Sequence, residues 1–176
     1  ENLVKSTNTF SINASLYQNA GANMVQQLAY ALAHANEYLN RLDTAEDSLK
    51  QNTTCIFNIS IGSNYFFEIA KLRALRLLWT TLATEYNFNT NCHIYATPTK
   101  RNKTLYDYKT NLLRTTTECM SAILGGSDTI CNLPYDAIYH KVNEFGSRMA
   151  RNQLLILKHE SYFDKVNNPA DGAYYI

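Results

Sequence analysis

The chain has 176 residues, 45% of them hydrophobic and 18% charged, the composition of a globular protein with enough apolar side chain for one core. A formal net charge of +1 gives the whole chain no attraction for nucleic acid or an anionic membrane surface. No apolar run of membrane-spanning length is free of charge, because the longest candidate contains Glu68, Lys71, Arg73 and Arg76. No secretory leader is visible, and a start at Glu1 rather than Met reads as a processed product or a fragment.

Short strand-like runs begin near residues 9, 55, 92 and 129, and each is followed by a longer helical pattern. The first run, TFSINASLY, alternates, with Phe10, Ile12, Ala14 and Leu16 on one face. The helix after it starts at a capping box formed by Asn23 and Gln26. Leu28, Ala31, Leu32, Ala35 and Leu39 then form one apolar stripe. Residues 43–54 are polar and loop-like, with at most a helical turn near Glu46. The second strand, CIFNISI, sets Phe57, Ile59 and Ile61 opposite Asn58 and Ser60.

Residues 62–79 are the most informative stretch. Ser63 or Asn64 can cap a helix there, because a short side-chain oxygen accepts from a free N–H of the first turn. Phe66, Phe67, Ile69, Leu72, Leu75, Leu77, Leu78 and Trp79 point in most directions around it. A helix that is apolar nearly all round needs cover on more than one side. That cover is either core alone or core plus a partner chain.

The third strand is CHIYAT. Its helix starts between residues 108 and 111 and runs to Leu124, ended by Gly125-Gly126 through glycine's ease in the left-handed conformation. The fourth strand, TICNL, leads to a helix over about residues 143–159, entered by a shorter one after Pro134. Strands alternating with helices indicate βαβ units and a parallel sheet. Four units are half of an eight-unit barrel, which usually needs about 250 residues. The expected fold is therefore α/β, the second half (strands 5–8) of a TIM-type barrel, in one domain over residues 1–176. Such a half leaves two sheet edges open, which invites pairing with another chain, including a second copy.

Cys55, Cys92, Cys119 and Cys131 offer no metal-ligand spacing and read as buried free thiols. His34, His93, His140 and His159 are scattered, which suits surface or structural roles, and no metal site is expected. Asn13, Asn52, Asn58 and Asn102 fit the glycosylation pattern, but two of them fall in predicted strands, which argues against modification. Lys100-Arg101-Asn102-Lys103 reads as a solvated basic loop.

Four ordered segments carry a family resemblance. YQNAGANMVQQLAYALAHANEYL, FFEIAKLRALRLLW, YDYKTNLLRTTTECMSAILGGSD, and RMARNQLLILKHES followed by NPADGAYYI resemble the barrel domain of methylmalonyl-CoA mutases, after its fifth to eighth strands. The resemblance covers roughly residues 8–176, with a weak patch at 43–54. It implies an adenosylcobalamin-dependent isomerase family that interconverts methylmalonyl-CoA and succinyl-CoA. The catalytic subunits present a Tyr-His pair, a His and a Gln, and an Asn at these strand ends. Aligning the segments puts the Tyr-His pair on Ser15 and Leu16, the His and Gln on Tyr95 and Thr97, and the Asn on Leu133.

A leucine cannot donate a hydrogen bond to a thioester oxygen. The pattern therefore resembles the small, non-catalytic subunit, whose partner is a catalytic large subunit. Thr97-Pro98-Thr99-Lys100, where the large subunit has a Gln-Thr-Ser-Gly-like turn, agrees with that. The Asp-x-His-x-x-Gly signature of the lower cobalt ligand does not occur, so adenosylcobalamin is expected in the large subunit and no cofactor in this chain. In this family the basic loop could meet coenzyme A phosphates, whereas Arg73, Arg76 and Arg114 should make structural ion pairs or interface contacts. The resemblance also implies a cytoplasmic heterodimer of propionate metabolism. A stand-alone acyl-CoA-binding or homo-oligomerising half-barrel is the other reading.

Overall fold

A computed structural model describes residues 7–176. Four strands, β1 (Thr9–Asn13), β2 (Thr54–Ile61), β3 (Cys92–Pro98) and β4 (Thr129–Ile130), form one sheet in the order β1-β2-β3-β4, with every pair parallel. Within residues 8–176, six helices alternate with them: α1 (Ser15–Ala20), α2 (Met24–Leu42), α3 (Asp47–Asn52), α4 (Tyr65–Glu85), α5 (Thr110–Leu124) and α6 (Glu144–His159). This is the α/β architecture of half a β/α barrel. Among the described residues no helix is long and apolar enough to cross a membrane.

The strands bury one face against helices. Ile12, Phe57 and Ile94 make one buried row across β1, β2 and β3, and they join Ala31, Ala35, Leu39, Leu72, Leu75 and Ala122 in a single apolar cluster. Trp79 of α4 lies at its centre, fully buried, with ring contacts to Phe57 at 5.5 Å, Phe88 at 6.2 Å and Phe10 at 6.4 Å. The opposite strand face carries Ser11, Asn13, Asn58, His93, Tyr95 and Thr97, all exposed or half-buried.

Local chemistry explains most boundaries. The capping box of α2 is present: Gln26 N–H donates to Asn23 Oδ1 at 2.9 Å, and Asn23 N–H to Gln26 Oε1 at 3.0 Å. The expected stripe packs inward, with Ala31, Ala35 and Leu39 buried and Leu28 and Leu32 at the edge of the core. Helix α5 starts within the expected window, and α6 is capped by Asn143, whose side chain accepts from Gly146 N–H at 2.7 Å.

Five expectations need correction. Strand β1 stops at Asn13, because Ala14 turns into the helical region (φ −83°, ψ −9°) and α1 follows at once, ended by Gly21 at φ 109°. Leu16 is therefore on a helix and 63% exposed, not on a strand face. Residues 47–52, expected as loop with at most a helical turn near Glu46, form the six-residue α3. Asp47 favours its positive end, and the buried Lys50 reaches Asp43 at 3.5 Å. Asn64 occupies the N-cap of α4 but its side chain accepts no bond from the first turn, and Ser63 is not the cap. Strand β4 is short because the Asn132 side chain takes over, accepting from Leu133 N–H and donating to Ala150 O.

The Gly-Gly end of α5 divides its work in an unexpected way. Gly126 takes the left-handed conformation (φ 81°), whereas Gly125 stays helical (φ −76°). Gly125 is needed for close approach: a Cβ there would sit 2.7 Å from Leu72 Cδ1 and 3.1 Å from Leu72 Cβ. Gly125→Ala should therefore destabilise the chain by about 1–3 kcal/mol, through overpacking against α4, as read by urea denaturation.

Candidate functional site

In β/α barrels the chemistry gathers at the carboxyl ends of the strands. Ser15 opens α1 directly after β1, and its hydroxyl donates to Asn13 Oδ1 at 2.5 Å. Leu16 follows it, turned to solvent. Tyr95 and Thr97 stand two apart on β3, beside Asn58 and Ser60 of β2 in register. Leu133 lies just past β4, half-buried. The sheet thus brings Tyr95 and Thr97 together at its centre and leaves Ser15 and Leu133 at opposite edges. Three strand spacings separate those edges, about 14 Å across a flat sheet.

A buried polar network fills the space behind these positions. Thr99, after β3, donates to Gln18 Oε1 at 2.5 Å and lies 3.0 Å from Asn19 Oδ1. Asn19 Nδ2 reaches Ser60 Oγ at 3.2 Å, and Lys100 N–H donates to Asn19 Oδ1 at 3.0 Å. Helix α1 is thereby tied to both central strands. Gly62 leaves room for this arrangement, since a Cβ there would meet Gln18 Nε2 at 2.9 Å and Glu68 Oε1 at 3.1 Å.

Two lysine–glutamate pairs lie beneath. The Lys71 ammonium pairs with Glu68 and donates to Gln27 Oε1 and the Ser60 carbonyl, each at 2.9 Å. Lys103 pairs with Glu118 at 2.6 Å, and Asn102 Nδ2 donates to the same carboxylate at 2.5 Å. Burial lowers the pKa of both lysines, opposed by their carboxylate partners. Burial likewise raises the Glu118 carboxyl, opposed by Lys103 and Asn102. These charges are sealed off from any substrate and brace the loops instead.

The basic loop is therefore only partly solvated. Lys100 and Arg101 face out, whereas the Lys103 ammonium is consumed inside. A signal for the first pair was present in the sequence: Glu68 shares a helical face with Leu72, Leu75 and Trp79, so it had to be buried and paired. No such signal marked Gln18, Gln27 or the Lys103–Glu118 pair, whose partners come from distant segments.

Three of the four histidines and three arginines are engaged in structure. His34 bonds Tyr17 at 2.8 Å, His93 bonds Thr129 at 2.9 Å, and His140 lies 3.4 Å from Asp136. Arg76 bridges to Asp128 at 2.7 Å, Arg73 pairs with Asp171 at 3.4 Å, and Arg114 donates to the Asn102 carbonyl at 2.7 Å. No group of three metal-ligating side chains occurs among the described residues. Asn13 and Asn58 of the glycosylation pattern are neighbours in the β1–β2 register.

Comparison with known proteins places this arrangement. The methylmalonyl-CoA mutase family matches residues 1–176. The chain belongs to that family. It is 45% identical over 172 residues to the methylmalonyl-CoA mutase small subunit of Porphyromonas gingivalis, covering 94% of this chain and 28% of that protein. It is 36% identical to the methylmalonyl-CoA mutase of Rhizobium meliloti, over 96% of this chain and 24% of that one. It is 33% identical to the methylmalonyl-CoA mutase small subunit of Propionibacterium freudenreichii subsp. shermanii, over 94% and 27%. The chain spans roughly a quarter of the length of these relatives.

Three of the four thiols are buried as expected, but Cys131 is exposed because it lies beyond β4 on the uncovered side. Burial raises Cys92 to about 11 and Cys119 to about 12, and pushes Cys55 higher still. Iodoacetamide at about pH 8.5, near the ordinary thiol pKa, should therefore label Cys131 alone, and all four only in denaturant, as read by intact mass. Lys71→Met should cost about 3–5 kcal/mol in urea denaturation by stranding Glu68. Adding Glu68→Leu should restore much of it.

Proposed function

We propose that this chain is part of the non-catalytic small subunit of an adenosylcobalamin-dependent methylmalonyl-CoA mutase. Its role is to support the catalytic large subunit that interconverts methylmalonyl-CoA and succinyl-CoA. The observation that carries the reading is the chemistry of the strand ends: Leu16 and Leu133 have no polar side-chain atom, and Ser15 and Thr97 offer only hydroxyls. Losing one preorganised donor typically costs about 10²–10³ in rate, so a site that lacks several has no measurable turnover. The similarity to two proteins named as small subunits supports the same assignment.

The reading gives this chain no cofactor. No histidine lies in an Asp-x-His-x-x-Gly pattern, and His34, His93 and His140 are already bonded to Tyr17, Thr129 and Asp136. The described residues therefore do not fit the lower cobalt ligand, and adenosylcobalamin belongs to the large subunit. The setting is the cytoplasm and propionate metabolism, in a heterodimer.

A second reading, a homo-oligomer, is favoured by the sheet edges. Among the described residues β1 pairs only with β2 and β4 only with β3, so each keeps an unpaired outer edge. Light scattering on a sizing column decides between the two. Mixed with a cobalamin-binding large subunit, the chain should give a new stoichiometric peak, and alone it should show no turnover of methylmalonyl-CoA. A homodimer that ignores the large subunit would favour the second reading.

A further inference from the structure

The side of α4 that faces away from the core is apolar and open. Phe66, Phe67, Leu77 and Leu78 are 41–69% exposed on it. Ala70 and Ala74 lie between them, half-buried. At about 100° per residue these six positions fall within roughly one third of the helix circumference. Tyr175 extends the patch. Its ring is edge-on to Phe66 at 5.3 Å and stacked on Phe67 at 6.2 Å, and the residue is itself 68% exposed.

Two properties restrict what can cover this face. The first is charge. Between Phe66 and Leu78, Glu68 and Lys71 are buried against each other, and Arg73 and Arg76 are engaged with Asp171 and Asp128. This stretch of α4 keeps no unpaired charge to hold an acidic or basic peptide, a nucleic acid or an anionic membrane surface.

The second is order. The face has the same pattern in both directions about Leu72: Phe66 and Leu78 lie six residues from it, Phe67 and Leu77 five, Ala70 and Ala74 two. A two-fold axis reverses the helix and presents the patch to itself, which is what an isologous interface requires. Antiparallel α4 helices crossing at Leu72 set the phenylalanines of one copy against the leucines of the other. The alanines at the centre let the two backbones approach. The five large side chains expose on the order of 500 Å² per copy, taking about 200 Å² for a whole large residue. Two copies together bury about 1,000 Å², the lower limit of a specific interface.

We propose that the outer face of α4 is a dimerisation surface, and that its occupant is the same face of a second copy of this chain, antiparallel about a two-fold axis at Leu72. The dimer is weak and concentration-dependent. It uses neither the open sheet edges nor the strand ends, so it goes beyond the assignment to a small subunit and does not rest on it.

Sedimentation velocity over a concentration series, with a paired charge exchange, tests this. The native chain should pass from monomer to dimer as concentration rises. Phe67→Glu and Leu77→Lys alter exposed positions, so both should keep the native far-UV circular dichroism. Each alone should weaken dimerisation about tenfold or more, because a charge is then buried against an apolar side chain. Mixed in equal amounts, the two variants should dimerise again: antiparallel packing sets the new carboxylate of one against the new ammonium of the other and keeps one native Phe67–Leu77 contact. Phe66→Glu with Leu78→Lys is the equivalent pair if either variant fails to fold. Tyr106→Glu, at a fully exposed position on the loop after β3, should leave the native dimer unchanged. A monomer at every concentration, a dimer that survives either charge (as one closed through the sheet edges would), or a mixture that stays monomeric would each overturn the inference. So would a chain that associates only with a cobalamin-binding large subunit and loses that complex in the same variants.

Discussion

A lysine ammonium taken out of water needs a partner on every side, and that constraint organises the carboxyl end of this sheet. Lys71 satisfies it with a carboxylate from its own helix, an amide oxygen from α2 and a main-chain carbonyl from β2. Three elements must be in place together for the charge to be tolerated. The same rule, applied to Lys103, fixes the loop after β3 against α5 through Glu118. The two carboxylates feel one another, since Glu68 helps to raise the Glu118 pKa. The loops that would carry catalysis in an active barrel are here locked from below by charge pairs.

Meeting that constraint has a consequence for α4. Turning Glu68 and Lys71 inward, in line with Leu72, Leu75 and Trp79, rotates Phe66, Phe67, Leu77 and Leu78 outward. The core covers one side of the helix, whereas Phe66, Phe67, Leu77 and Leu78 stay exposed on the other, where Tyr175 touches only the two phenylalanines. Arg73, three residues after Ala70, reaches from the same helix to Asp171 at 3.4 Å. The inner charge pair and the outer apolar surface are two results of one helix orientation.

Legibility in the sequence followed the range of the interactions. Helix α2 was readable because its cap and its stripe lie within a few residues, and β2 and β3 because alternation is local. The parallel sheet followed from element order, and half a barrel from the count of units. Helix α1 was not readable: TFSINASLY alternates through Leu16, whereas the turn is set by Ala14 N–H donating to the Asn58 carbonyl and the helix is held by Thr99 donating to Gln18, both from other segments. Helix α3 was hidden because short polar helices have no stripe. The strand-end positions Ser15, Leu16, Thr97 and Leu133 came from aligned segments, not from periodicity. The lysine–glutamate pairs behind them join residues with no common pattern, apart from Glu68, whose place on the core face was there to be seen.

The uncovered face of the sheet sets a condition on whatever closes it. Asn13, Asn58, Tyr95 and Thr129 form one row across all four strands, and Ser11, Ile56 and His93 form the next. The interior of a (β/α)8 barrel is ordinarily packed with branched apolar side chains in layers. Here the central row is entirely polar. The His93–Thr129 bond ties the second row to it. An apolar cover would leave the Asn58 amide at the middle of that row without a partner, at a cost of roughly 1–3 kcal/mol. The face must therefore be met by a surface that brings its own donors and acceptors, or be kept wet. That condition distinguishes it from the outer side of α4, where the exposed side chains Phe66, Phe67, Leu77 and Leu78 are apolar.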